Sequence, residues 1–318
     1  MAGIGDQGRK IAWRGASRYN TAIAMTNEHL AHRMHSVPGG SDPSVSDLLS
    51  VAIDAAYLAG RRTLAYFNTR LPVEIKADHT PVTQADREAE QVIRTCIART
   101  FPDHAILGEE GGKTEGNPDY RWIIDPIDGT KNFVRGVPVW STLVALSEGD
   151  PASDGEVVVG VVSAPALGRR WWAARGTGAW VAPAGIASAA TGSASSFEPR
   201  RLTVSGVTSL ADASLSFSGV GGWAERGRLP QFLELTAAVW RTRAYGDFWS
   251  HMLVAEGAVD VSAEPEVSLW DLAALAVIVE EAGGRFTDLD GVRGPAGGSA
   301  VATNAHLHDE VVHRLSIT

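Results

Sequence analysis

Helical and strand periodicities alternate along most of this chain. Leu48, Leu49, Ile53, Ala56, Tyr57 and Ala59 recur at helical spacing and predict a helix beginning at Val45, capped by Ser46 or Asp47 and ending within residues 62–67. A second helix follows Thr83-Gln84-Ala85-Asp86 and carries Val92, Ile93 and Ile97 before Phe101-Pro102. Residues 121–124 read as a buried strand delivering Asp125 and Asp128 to a turn. Residues 137–146, 157–164 and 170–174 read as successive strands, with 149–155 as a hairpin connection. The second half predicts strand at 215–218, helix at 229–239, strand at 241–244 and helix at 248–256. Strand at 259–262, helix at 271–282 and strands at 285–287 and 299–303 follow, and 311–315 closes the chain. No internal repeat is visible.

Residues 1–43 lack sustained periodicity and end in a Pro/Gly/Ser-rich stretch. They read as a disordered extension preceding one domain over 44–318, with halves at about 44–200 and 201–318. The extension has no apolar core of the signal-peptide kind. Residues 182–199, rich in Ala, Ser and Gly, read as a mobile surface insertion.

Composition narrows the function classes. The 318 residues are 44% hydrophobic and 20% charged, as in an ordinary globular protein. No apolar run approaches the ~18 residues of a membrane span. A formal charge of −9 argues against a broad nucleic-acid-binding face. Cys96 is the single cysteine, so no intramolecular disulfide can form, and a reducing cytoplasm fits best. It reads as a small buried hydrophobe. His306 and His308 read as surface residues of a C-terminal loop.

The candidate chemistry lies in acids spread over half the chain. Glu109-Glu110-Gly111 comes first, then Asp125-Pro126-Ile127-Asp128-Gly129-Thr130, then Trp270-Asp271-Leu272. Each acid sits beside apolar or glycine residues, where burial of a lone charge is costly. Hard divalent cations such as Mg²⁺ take several oxygen ligands and leave positions for water and substrate phosphate. Pro126 fixes its own φ and pushes Asp125 toward extended backbone, so both Asp side chains and the Ile127 carbonyl can converge on one point. Gly129 permits close approach and Thr130 is placed to open a helix, whose first amides can receive phosphate oxygens. The alternative for this motif is an Asp-rich turn with an ordinary helix cap.

These motifs, in this order, resemble those of the inositol monophosphatase family over residues 45–316. The resemblance implies an α/β (α+β) fold, a layered αβαβα sandwich, and a Mg²⁺-dependent phosphatase holding two or three ions per site. By position it implies Glu109, Asp125, the Ile127 carbonyl, Asp128 and Asp271 as metal ligands, with Gly129 and Thr130 receiving the phosphate. Asp86 would pair with the Thr130 hydroxyl to orient the attacking water. Glu110 is the other candidate for that task, and helix capping is the alternative role for Asp86. No covalent enzyme intermediate is implied. Lys76 matches a lysine of many relatives, with a solvated strand-end charge as its alternative. A homodimer is expected from the family.

The alcohol is read from three stretches, at 132–140, 169–175 and 241–248, that resemble the histidinol-phosphate phosphatase branch. Asp247 and Glu264 fall where relatives contact the non-phosphate part of the substrate, and an acid at 247 suits a cation better than a polyol. The alternative for Asp247 is a helix cap. Arg243 is expected to reach the site or an adjoining subunit. Trp140, Trp171, Trp172 and Trp240 read as core or interface residues. The expected substrate is a small phosphate monoester, L-histidinol phosphate first and inositol 1-phosphate second. A binding or regulatory role is disfavoured because none of Glu109, Asp125, Asp128 and Asp271 is missing.

Overall fold

The computed structural model describes residues 42–77, 80–184 and 199–317. Nearly all of the expected N-terminal extension and most of the expected 182–199 insertion lie outside them.

Helix α1 (Val45–Tyr66) is capped by Ser44, one turn before Asp47, whose carboxylate returns to the Ser44 amide. Ser44 rather than Ser46 or Asp47 is the cap, because its hydroxyl accepts the Asp47 amide at 3.2 Å. A short antiparallel ribbon, β1 (Val73–Ile75) with β2 (Pro81–Thr83), leads into α2 (Gln84–Thr100). Helices α1 and α2 pack on each other, and α1 lies over the large sheet.

That sheet has eight strands: β3 (His104–Gly108), β4 (Gly112–Thr114), β5 (Asn117–Asp128), β6 (Ser141–Glu148), β7 (Glu156–Ala164), β8 (Arg169–Ala174), β9 (Ala179–Pro183) and β10 (Arg200–Arg201). Their spatial order is β10-β9-β8-β7-β6-β5-β3-β4. The β5–β9 run is an antiparallel meander, and 149–155 connects β6 to β7 as the sequence suggests. Helix α3 (Thr130–Val134) follows β5 directly.

The second half builds a five-stranded sheet from β11 (Ser214–Ser216), β12 (Arg241–Arg243), β13 (Val261–Glu264), β14 (Arg285–Thr287) and β15 (Ala300–Thr303), ordered β12-β11-β13-β15-β14. Helices α6 (Asp247–Ala255) and α7 (Leu269–Glu281) lie between the two sheets. Helices α4 (Gly221–Glu225), α5 (Leu229–Ala238) and α8 (His308–Leu315) make the outer layer. The architecture is a layered αβαβα sandwich.

Helix α7 shows why a middle layer forms. Leu272 through Val279 are all buried, so the helix is apolar around its whole circumference and needs a sheet on each side. Gly160 on β7 lets α7 approach: a Cβ there would stand 2.5 Å from the Ala274 carbonyl and the Val277 side chain. Trp171, Phe248, Leu272 and Phe286 belong to the core between the sheets.

Cys96 is buried, and burial pushes its thiol up to about 12. Trp140 and Trp171 are core residues, whereas Trp240 is 65% exposed beside the edge strand β12. His308 departs from its expected surface position. It is 1% exposed at the start of α8, its ring nitrogens 3.0 Å from the Thr287 and Thr303 hydroxyls. Thr287 and Thr303 each close their strand, and the two hydroxyls give both ring nitrogens of the buried imidazole a hydrogen-bond partner.

Candidate active site

Asp125 and Asp128 end one strand, and their shared aim depends on a bulge. Residues three apart on a regular strand face opposite sides of the sheet. Here Asp125 stands opposite Leu143 and Asp128 opposite Ser141, so three steps on β5 match two on β6. The extra residue restores the parity and turns both carboxylates the same way. Pro126 sits within this bulge, where its missing N–H is tolerated, and its carbonyl accepts the Thr142 hydroxyl at 2.9 Å. The Ile127 amide donates to Asp125 Oδ1 at 2.9 Å, closing a local turn. The expected turn is thus a bulged strand end.

Asp271 arrives from the first turn of α7, where the Ser268 amide donates to its Oδ2 at 2.8 Å. Carboxylate oxygens of Asp125, Asp128 and Asp271 lie within 4.8 Å of one another. Burial pushes Asp125 well above the usual carboxylate range, and the charges of Glu109, Asp128 and Asp271 push it further. Asp128 is raised in the same way by burial and by Asp247 and Asp271, against the opposing Phe248 amide. Asp271 is pushed up to about 6, chiefly by burial. Among the described residues no lysine or arginine forms an ion pair with these three acids. Such a donor set is costly by itself and fits a hard divalent cation.

Glu109 borders this group: its Oε1 accepts from Lys76 Nζ at 2.8 Å. Lys76 also pairs with Glu110. The Lys76 ammonium is therefore tied to both glutamates. Burial pushes Glu110 up to about 7, with Lys76 opposing.

The expected Asp86–Thr130 hydrogen bond is not formed. Asp86 Oδ2 takes the Thr83 amide at 2.8 Å and the Thr83 hydroxyl at 2.7 Å, capping α2. The single Thr130 hydroxyl proton goes to the Ile127 carbonyl at 2.9 Å. Asp86 Oδ1 is buried with no hydrogen-bond partner.

On the other side of the acid group, Asp247 opens α6 with φ +49°. Gly246 rather than Asp247 is the N-cap, so the capping alternative for Asp247 fails. Its Oδ2 accepts from Asn132 Nδ2 at 2.9 Å and its amide donates to Ser218 Oγ at 2.8 Å. Ser218 Oγ donates in turn to Glu264 Oε1 at 2.6 Å. Glu264, buried at the end of β13, is pushed up to about 8 by burial. Arg243 is not drawn into this group. It is exposed at the end of β12, and its guanidinium bonds to the Thr242 carbonyl at 2.7 Å.

Three supporting residues escaped the sequence reading. Glu90, 2% exposed on α2, accepts the amides of Glu110 and Gly111 at 2.8 and 2.7 Å and the Arg94 guanidinium at 2.8 Å. It shapes the loop that carries Glu109 and Glu110. Its signal is an acid on the same helical face as Ala85, Ala89, Ile93 and Ile97, all buried. Asn132 and Ser218 had no signal beyond their neighbours.

A five-layered α/β protein with a converging, largely buried acid triad at the junction of its halves belongs to a class suited to cation-assisted phosphate chemistry. Residues 44–317 match the inositol monophosphatase family, and the chain belongs to it. The chain is similar to a histidinol-phosphatase of Mycobacterium tuberculosis, 54% identical over 271 residues covering 85% of this chain and 98% of the relative. It is also similar to a histidinol-phosphatase of Streptomyces coelicolor, 52% identical over 277 residues covering 86% and 97%. Among solved structures, an IMPase of Thermotoga maritima superposes with a TM-score of 0.71 at 33% identity, covering 85% of this chain and 96% of that one. The chain is a phosphoric monoester hydrolase of a metal-dependent family. Among the described residues no helix is long and apolar enough to cross a membrane.

Proposed function

We propose that this chain is a Mg²⁺-dependent phosphatase that hydrolyses L-histidinol phosphate to L-histidinol and phosphate. The observation that carries the reading is the convergence of Asp125, Asp128 and Asp271 beside a second acid pair, the half-buried Asp247 and the buried Glu264. Residues 44–317 act as one catalytic domain, and the resemblance extends the reading to histidine biosynthesis, a cytoplasmic setting and a homodimer.

Asp125, Asp128 and Asp271, with Glu109 and the Ile127 carbonyl, would hold two or three ions. When bound, Mg²⁺ supplies Lewis-acid activation of water and charge neutralisation at the leaving oxygen. The chain's own residues supply position. Gly129, with φ +83°, turns the backbone so that the first amides of α3 can receive phosphate oxygens. Glu110, raised to about 7 by burial and paired with Lys76, is the candidate to accept a proton from the attacking water. Asp86 holds the start of α2 and thereby the face that Glu90 uses to fix the Glu109-Glu110 loop. Asp247 and Glu264 offer acceptors to the amine and imidazole of histidinol, groups that a polyol lacks. Lys76 keeps Glu109 and Glu110 together.

Phosphate release from histidinol phosphate, inositol 1-phosphate and a simple aryl phosphate, with and without Mg²⁺, tests this reading. A clear preference for histidinol phosphate that vanishes with chelator supports it. Equal turnover of all three esters, or turnover without divalent cation, overturns it.

A further inference from the structure

Asn132 forms a link between the two halves of the site. Its Nδ2 donates at 2.9 Å to the Val139 carbonyl and at 2.9 Å to Asp247 Oδ2, a residue 115 positions away. Two acceptors on one amide nitrogen fix the plane of the Asn132 side chain. That plane in turn fixes which oxygen of Asp247 is occupied, and among the described residues Oδ1 takes no hydrogen bond. The Ser218 hydroxyl holds the Asp247 backbone from the other side and also holds Glu264. Gly129 presses against the same knot: a Cβ on it would stand 3.0 Å from the Val139 carbonyl and 3.3 Å from Asp247 Oδ2. The turn proposed to grip phosphate and the acid proposed to grip the alcohol therefore meet at a single amide.

We propose that Asn132 is a positioning residue for substrate choice, setting the distance and direction from the phosphate turn to Asp247 so that Oδ1 meets a cationic group on the alcohol. The inference rests on the proposed role of Asp247. A carboxylate with one oxygen held and one free is a directional acceptor, whereas a freely rotating one pays rotational entropy on binding. Asn132 thus acts through Asp247 and is not required to touch substrate.

The test is a double-mutant cycle on the metal-loaded enzyme, using Asn132→Ala, Asp247→Asn and the pair. The readout is the ratio of kcat/KM for histidinol phosphate to that for inositol 1-phosphate. Asn132→Ala should lower this ratio about tenfold, mostly through KM for histidinol phosphate. Asp247→Asn should lower it at least as much, and adding Asn132→Ala to it should change the ratio little further. Asn132→Ser, which keeps a hydroxyl too short to span both acceptors, serves as the second variant should the alanine form fail to fold. Equal losses on both esters in either Asn132 variant would overturn the inference. Additive losses in the pair would overturn it as well. Failure of the substrate reading looks different: the wild-type enzyme itself would show no preference.

Discussion

Asp128 Oδ2 accepts the Phe248 amide at 2.8 Å, joining the end of β5 to the start of α6 across 120 residues. The same carboxylate belongs to the acid triad, so Asp128 both anchors a helix and adds a buried negative charge. Substitutions should separate these roles. Asp128→Asn keeps an oxygen for Phe248 and removes the charge. Metal-free protein should melt a few degrees higher, while phosphate release falls at least 100-fold. Asp128→Ala loses the acceptor too and should melt lower than Asp128→Asn, by about 1–3 kcal/mol of stability. Thermal denaturation with chelator, beside phosphate release with Mg²⁺, reads both.

The alternation of helices and strands was legible because each element buries one face, and periodicity records that. Helices α1, α2 and α7 begin and end within a few residues of the sequence expectation. Sequence periodicity does not mark strands β1, β2, β3, β4, β9 and β10. Three of them, β1, β4 and β10, are exposed throughout, so no apolar pattern announces them. The site acids were legible as a motif, but their common aim was not. It depends on a bulge between Asp125 and Asp128 that no local pattern announces. Nor did periodicity reveal Asp86 spending its carboxylate on Thr83, since one acid can serve a cap or a neighbour equally well.

Glu90 bonds the amides of Glu110 and Gly111 and so holds the loop bearing two site acids. Glu90→Gln keeps one acceptor and loses the charge-assisted bond to Arg94. Glu90→Ala leaves two amides and the guanidinium without it. We expect the alanine variant to lose about 2–4 kcal/mol and the glutamine variant less. Both should weaken Mg²⁺ binding by calorimetry in the same order. Unchanged Mg²⁺ affinity in a folded Glu90→Ala protein would dismiss its role in shaping that loop.

Gly160 sets the spacing between the large sheet and α7. A methyl group there meets the Ala274 carbonyl and Val277 at 2.5 Å, both on a helix pinned by sheets on each side. Gly160→Ala should cost about 1–3 kcal/mol by overpacking. Because α7 carries Asp271, displacement should also raise the Mg²⁺ concentration needed for half-maximal activity. A variant with wild-type melting and wild-type Mg²⁺ dependence would mean that the interface relaxes freely.

His251 gives the pH dependence its sign. It lies on α6, 1% exposed, and its Nδ1 has no hydrogen-bond partner. Burial lowers its pKa from 6.5 to about 4, so the folded protein keeps the ring neutral where the unfolded chain binds a proton. Between those values the unfolded state holds more protons, and stability rises with pH. The contribution is fully present above 6.5 and is lost as pH falls toward 4. His104 and His308 are lowered to about 4 and act in the same direction. Asp271, raised to about 6, acts in the opposite direction in metal-free protein, so the comparison belongs at saturating Mg²⁺. One such histidine costs about 1.4 kcal/mol per pH unit within the window. His251→Leu should therefore reduce the loss of stability between pH 7.5 and pH 5 by about 2 kcal/mol. Denaturant unfolding at the two pH values measures this difference directly, and an equal drop in wild type and variant would mean that His251 takes up its proton as readily in the fold as in the unfolded chain.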